Sequence, residues 1–160
     1  MKPRAVFRTV SLAACITVAA ALASATPPPA KSWKSSLTAP TTATAATVHI
    51  SKSSSVQVKV STGAVTFKLK VKALDSADMP VNSAGNTATF TFLVAGMTKN
   101  KDFSFDFVDG KAAFKNPVSL GDAGTWGTML APGATIELRQ VRLYEVGTGE
   151  LFGVSGITTK

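Results

Sequence analysis

Residues 56–74, VQVKVSTGAVTFKLKVKAL, limit the fold of this chain more than any other stretch. Val56, Val58 and Val60 alternate with Gln57 and Lys59. After a break at residues 61–64 the alternation resumes as Val65, Phe67, Leu69 and Val71 against Thr66, Lys68, Lys70 and Lys72. A period of two places the apolar set on one face of an extended strand and the lysines on the other. Such a strand is half buried and needs an apolar cover. Phe90 with Phe92, Phe103 with Phe105 and Phe107, and Val141 with Leu143 supply cover of the same periodicity. The pattern predicts an all-β, antiparallel protein with a phenylalanine-rich core.

Read in order, the chain gives seven to eight strands. Residues 48–55 lead into the first confident strand, and residues 61–64 make a tight connection compatible with a hairpin. Asp, Asn, Pro and Gly mark residues 75–86 as a long loop. Residues 87–94 form the next strand, with Ala88, Phe90, Phe92 and Val94 on one face and Thr87, Thr89 and Thr91 on the other. Residues 96–101 turn the chain into a strand at 102–108. Asp109-Gly110 is a strong hairpin signal, because both positions accept positive φ, and residues 111–114 continue the alternation. Residues 117–133 read as a loop in which Trp126 closes one end of the core. In residues 136–146 the apolar parity changes between Leu138 and Val141, so one extra residue near Arg139 and Gln140 is expected to form a β-bulge. Residues 147–149 turn into a last strand at 151–157. This count fits an antiparallel two-sheet sandwich at residues 48–160; a small barrel uses the same pattern.

The ends of the chain read differently. Lys2, Arg4 and Arg8 precede a short, alanine-rich apolar run, and Ala23-Ser24-Ala25 has the form of a signal peptidase site. Residues 1–25 are therefore expected to be a cleaved signal peptide rather than a transmembrane span, placing the protein in a periplasmic or extracellular compartment. Leu12-Ala13-Ala14-Cys15 offers the alternative of a lipid anchor at Cys15, although the apolar run continues past that cysteine. Cleavage would remove the single cysteine, so stability must come from packing rather than disulfides. Residues 26–47, rich in Thr, Ala and Pro, read as a flexible tail or spacer with Trp33 as its one large anchor. Residues 41–50 offer an alternative edge strand, added to this domain or to a neighbour's.

Charge suggests a partner class. The formal charge of the chain is +8, and loss of Lys2, Arg4 and Arg8 would leave +5. Seven lysines, from Lys31 to Lys72, precede the first acidic residue, Asp75. Lys59, Lys68, Lys70 and Lys72 form a candidate basic face for an anionic surface polymer or another protein. The alternative is a lysine stripe that solubilises the strand and blunts an edge. Nucleic acid is not expected, since no aromatic residues interleave on the polar face.

Catalytic constellations are not apparent. His49 is the single histidine, so the common zinc sites and Ser-His-Asp or Cys-His arrangements lack parts. Asp102, Asp106, Asp109 and Asp122 read as strand-face and turn residues; a glycosidase would need two carboxylates set across a cleft. No cofactor is expected, with a calcium loop at Asp75, Asp78 and Asn82 as the chemically reasonable exception. Trp126 and Tyr144 are candidate rim aromatics for a carbohydrate platform, the alternative for each being core packing.

Three elements resemble the bacterial immunoglobulin-like domains (Big and invasin type) of surface proteins. Asp75 followed by Pro80-Val81 is similar to the loop that ends one of their strands. Gly110-Lys111-Ala112 is similar to a later hairpin strand, and Ala123-Gly124-Thr125-Trp126 to the turn after it. The likeness spans residues 56–157 and departs from the pattern in having a single copy and an additional strand pair at 136–157. It implies an immunoglobulin-like sandwich in a surface, adhesion or spacer role. The resulting expectation is a non-enzymatic secreted or envelope-associated protein with a structural or interaction role. The alternatives are a protomer that assembles by N-terminal strand addition, and a small carbohydrate-binding module or hydrolase.

Overall fold

The computed structural model describes residues 30–40, 49–61, 64–74, 81–119 and 133–157. The expected signal peptide at residues 1–25, with Cys15, and also Asp75, Asp78, Asp122 and Trp126 lie outside the described residues. Two antiparallel sheets face each other as a β-sandwich. One contains β1 (Lys31–Ser36), β3 (Ser55–Ser61), β4 (Ala64–Leu74) and β7 (Lys111–Ser119), in that order. The two-residue β2 (His49–Ile50) pairs with the end of β4, beyond the reach of β3. The second sheet has the order β6-β5-β8-β9, from β5 (Ser83–Val94), β6 (Met97–Phe107), β8 (Ile136–Tyr144) and β9 (Leu151–Gly156).

The alternation of residues 56–71 is realised as read. Val56, Val58, Val60, Val65, Phe67, Leu69 and Val71 are all buried, and Lys59, Lys68, Lys70 and Lys72 are all exposed. Phe67 sits at the centre of the apolar layer. Its ring lies 5.1 Å from Phe90 and 5.9 Å from Phe92, both edge-on, and 4.8 Å from Phe103. Phe114 joins this group through Phe103, at 5.3 Å. A second group, Phe105, Phe107 and Phe152, fills the neighbouring part of the core. Edge-to-face rings place the positive edge of one on the negative face of the next, adding to the burial term.

The turns carry the clearest local chemistry. Asp109 (φ 49°) and Gly110 (φ 69°) both adopt positive φ, as the sequence predicts. The pairing across that turn differs from expectation, because only Val108 and Lys111 bridge. Past them β6 pairs with β5 and β7 pairs with β4, in opposite sheets. The reason lies in the faces. With the strands parted, Phe103 and Phe114 meet across the layer from opposite sheets, their ring centroids 5.3 Å apart.

A second tight turn occurs at Ala95-Gly96, again with both φ values positive (47° and 82°). It makes β5 and β6 a two-residue hairpin, so residues 97–101, read above as a turn, are strand. Likewise β5 begins at Ser83 rather than at 87, with a bulge between Ser83 and Asn86. Asn86 is fully buried there. Its Oδ1 accepts from the Val146 amide at 3.2 Å, and its amide donates to the Ser83 hydroxyl at 2.8 Å. A polar residue thus holds what its composition marks as loop. The expected bulge in β8 is present: Thr91 opposes Gln140 and Phe92 opposes Leu138, leaving Arg139 as the extra residue.

Two further corrections concern β7 and the tail. Strand β7 extends to Ser119 through Pro117, which an edge strand tolerates because one side of its ladder is unpaired. Lys31–Ser36, within the stretch that reads as a spacer, pairs with β3 in register along its whole length. Trp33 is half buried against the core, and Leu37 is fully buried. Thr38 then exchanges two backbone hydrogen bonds of 2.9 Å with Val154 of β9, so this segment passes from one sheet to the other. Polar composition hid the strand, because two apolar residues in this stretch, Trp33 and Leu37, suffice to dock it.

Replacing Phe67 with alanine is expected to lower the unfolding free energy by about 3–5 kcal/mol. A Val108→Thr change at an exposed site should stay within about 0.5 kcal/mol. Urea denaturation followed by far-UV circular dichroism measures both.

Candidate functional site

The outer face of the β1-β3-β4-β7 sheet is the most distinctive surface of the molecule. Because side chains alternate, the strand register settles which residues share it. Lys68 of β4 lies directly opposite Lys115 of β7 on one side and Gln57 of β3 on the other, and Gln57 in turn opposes Lys34 of β1. Lys72 lies directly opposite Lys111. Lys70 lies between Ser55 and Ala113, and Lys59 opposes Thr66 and Ser32. Seven exposed lysines therefore occupy one face, and the four strands contain no aspartate or glutamate.

This arrangement is unfavourable for stability. Directly opposed residues in an antiparallel pair bring their Cβ atoms to about 4.5–5.5 Å, and like charges there repel. Two such lysine pairs occur in one strand pairing, Lys68 with Lys115 and Lys72 with Lys111. A face evolved only for solubility has no need of them, because interspersed carboxylates would solubilise it without repulsion.

The opposite face of the sandwich provides the contrast. There Asp102, Asp106 and Glu137 mix with Arg139 and Arg142, and Arg139 Nη2 meets Glu137 Oε2 at 2.7 Å. The strands of that sheet, which also carry Lys99 and Lys101, thus mix both signs, while the β1-β3-β4-β7 sheet holds positive charge with no carboxylate in its strands.

Among the lysines, Lys34, Lys68, Lys70 and Lys115 border a shallow depression of about 280 Å³. A larger cleft of about 680 Å³ opens along β1, between Trp33 and Lys34 on one wall and Glu137 and Ile157 on the other. Lysine ammonium groups on flexible stems act as mobile point charges. A shallow field of seven suits a repeating anion better than a single small ligand.

Of these seven, Lys59, Lys68, Lys70 and Lys72 are legible from sequence, and the structure brings them together. Lys34, Lys111 and Lys115 were missed. Lys34 falls in the stretch that reads as a tail, while Lys111 and Lys115 sit on a strand that local signals pair with β6. Their four-residue spacing does place both on one face of a strand, and that is the signal that could have found them.

The remaining candidates are dispersed. Tyr144 is half buried on the far sheet, opposite Thr87 and Leu151, away from the lysine face. Asn82 Oδ1 accepts from the Asp109 amide at 2.8 Å, and Asp106 Oδ1 accepts from the Gly85 amide at 2.7 Å, so both oxygens brace loops. The described residues contain no group of three or more His, Cys, Asp or Glu side chains placed to hold a metal ion. No helix among them is long and apolar enough to cross a membrane. The chain matches no family model, no curated protein and no solved structure. The site is therefore read from its own geometry.

If the lysine pairs repel as their register implies, Lys115→Glu should raise stability by roughly 0.2–1 kcal/mol through pairing with Lys68. The gain should shrink in high salt, where the Debye length falls to about 3 Å at 1 M. Paired urea titrations at low and high ionic strength test this.

Proposed function

We propose that this is an exported, non-enzymatic β-sandwich that holds an anionic polymer through the lysine face. One observation carries the reading: seven lysines share the outer face of a sheet whose strands contain no carboxylate, and two pairs of them stand directly opposed, where like charges repel. A polymer bearing negative charges would relieve that repulsion and release its own counterions on binding. The signal-like N-terminus supports export, which would place such a face among anionic surface polymers. The resemblance to bacterial immunoglobulin-like domains agrees with an adhesive or anchoring role.

The test is binding to two soluble polyanions, long-chain inorganic polyphosphate and polygalacturonate, at rising salt. Affinity for at least one should fall steeply between about 50 mM and 200 mM salt, as expected when several charges are neutralised together. Changing Lys68, Lys70, Lys72 and Lys115 together to glutamine should flatten that dependence by roughly 0.7–0.9 in log–log slope per engaged lysine removed. Absence of binding to either polymer at the lowest salt would refute the proposal.

A further inference from the structure

We infer that the polymer is an anionic polysaccharide, and that the cleft beside β1 receives one of its sugar rings with Trp33 as the stacking surface. This rests on the reading of the lysine face and narrows it. The shallow lysine groove and the 680 Å³ cleft share one residue, Lys34, which borders both. That volume lies within the range of about 300–1,000 Å³ common to small-ligand sites.

Strand alternation explains the shared border. Lys34 points outward with Gln57 and Lys68, while its neighbour Trp33 points inward at the sheet edge, opposite Val58. Because β1 has a strand partner on one side only, the indole is half buried and part of it is presented to the cleft.

The cleft wall is mixed in the way that sugar recognition requires. An aromatic ring offers a flat apolar surface to the C–H face of a pyranose, and polar side chains around it answer the ring hydroxyls. Thr135 lines the cleft with Trp33, and the Ser32 hydroxyl lies on the adjoining lysine face, where it accepts from Gln57 Nε2 at 3.4 Å. Glu137 also lines the cleft. Its carboxylate is paired with Arg139 at 2.7 Å, which moderates its repulsion of an incoming anion. The two walls are braced by Lys31 Nζ, which donates to the Ile136 carbonyl at 3.2 Å, and by the Ser35 hydroxyl, which donates to the Gly156 carbonyl at 3.3 Å. The cleft therefore exists before a ligand arrives, which lowers the ordering cost of binding.

The other polyanions fit less of this surface. Inorganic polyphosphate has charge but no apolar face for the indole. Single-stranded nucleic acid favours several aromatic platforms along the charged track, whereas among the described residues bordering the lysine groove Phe114 is the one aromatic. A lipid surface would leave the cleft unused.

The experiment uses the protein carrying Trp126→Phe, so that emission reports Trp33 alone. It is titrated at low salt with polygalacturonate oligomers and, separately, with inorganic polyphosphate of similar charge. A second variant adds Trp33→Leu, which keeps an apolar side chain against the core but removes the flat ring. The glycan should shift and quench Trp33 emission, and Trp33→Leu should weaken glycan binding about tenfold, equivalent to about 1.4 kcal/mol. Polyphosphate affinity should stay within about twofold, and an unchanged far-UV circular dichroism spectrum shows that the variant is folded.

Equal weakening of both polymers, or a glycan that binds without altering Trp33 emission, would overturn the assignment. If polyphosphate binds and the glycan does not, the cleft proposal fails while the lysine-face reading stands. Failure of both polymers to bind ends both proposals.

Discussion

Strand β4 couples the core of this protein to its surface. Its inward side chains, Val65, Phe67, Leu69 and Val71, are all buried, and Phe67 touches aromatic rings from both strands of the β5-β6 hairpin. The lysines between them are displayed on the other face by the same pleat. Burying one set orients the other, since a slip of one residue would exchange the two faces. The described residues contain no cysteine, so the apolar layer is what holds the register. Repulsion between Lys68 and Lys115, and between Lys72 and Lys111, is opposed by Leu69 and Phe114 packing on the inner side of the same strand pair.

The sandwich thereby divides its labour by sheet. The β6-β5-β8-β9 sheet has a mixed polar face, with carboxylates and guanidinium groups interspersed. The β1-β3-β4-β7 sheet concentrates charge of one sign and borders the aromatic cleft. Strand β1 is what joins these two features. It adds Lys34 to the charged face, places Trp33 at the edge and then crosses to β9 through Thr38. Without β1 the lysine field would end at β3 and the cleft would lose one wall. A short polar segment thus has more bearing on the proposed site than its composition implies.

Several features were legible in the residues because they are local. Alternation decides which side chains of a strand share a face, so four lysines and the buried valines, Phe67 and Leu69 of residues 56–72 were assignable at once. Asp109-Gly110 specifies its own positive φ values, and the parity change at Arg139 specifies its bulge. Each depends on interactions within a few residues. The lapses also have local causes. Ala95-Gly96 lacks the Asn or Asp of a common turn, and Asn86 sits in a run of turn-forming residues, although its side chain is fully bonded inside the protein.

Thus the sequence by itself determined the strand content, the two-faced character of the strands, the phenylalanine core and the sign of the charged face. Beyond the β3-β4 and β8-β9 hairpins, the tertiary structure alone decided which strands are neighbours. Pairing is chosen by how distant apolar faces cover one another, a non-local quantity that a turn motif does not encode. For this reason Asp109-Gly110 could form the expected turn while sending β6 and β7 into opposite sheets. The same choice placed Lys111 and Lys115 beside β4 and docked Trp33 at an open edge. The like-charge pairs and the cleft exist only because those distant segments meet.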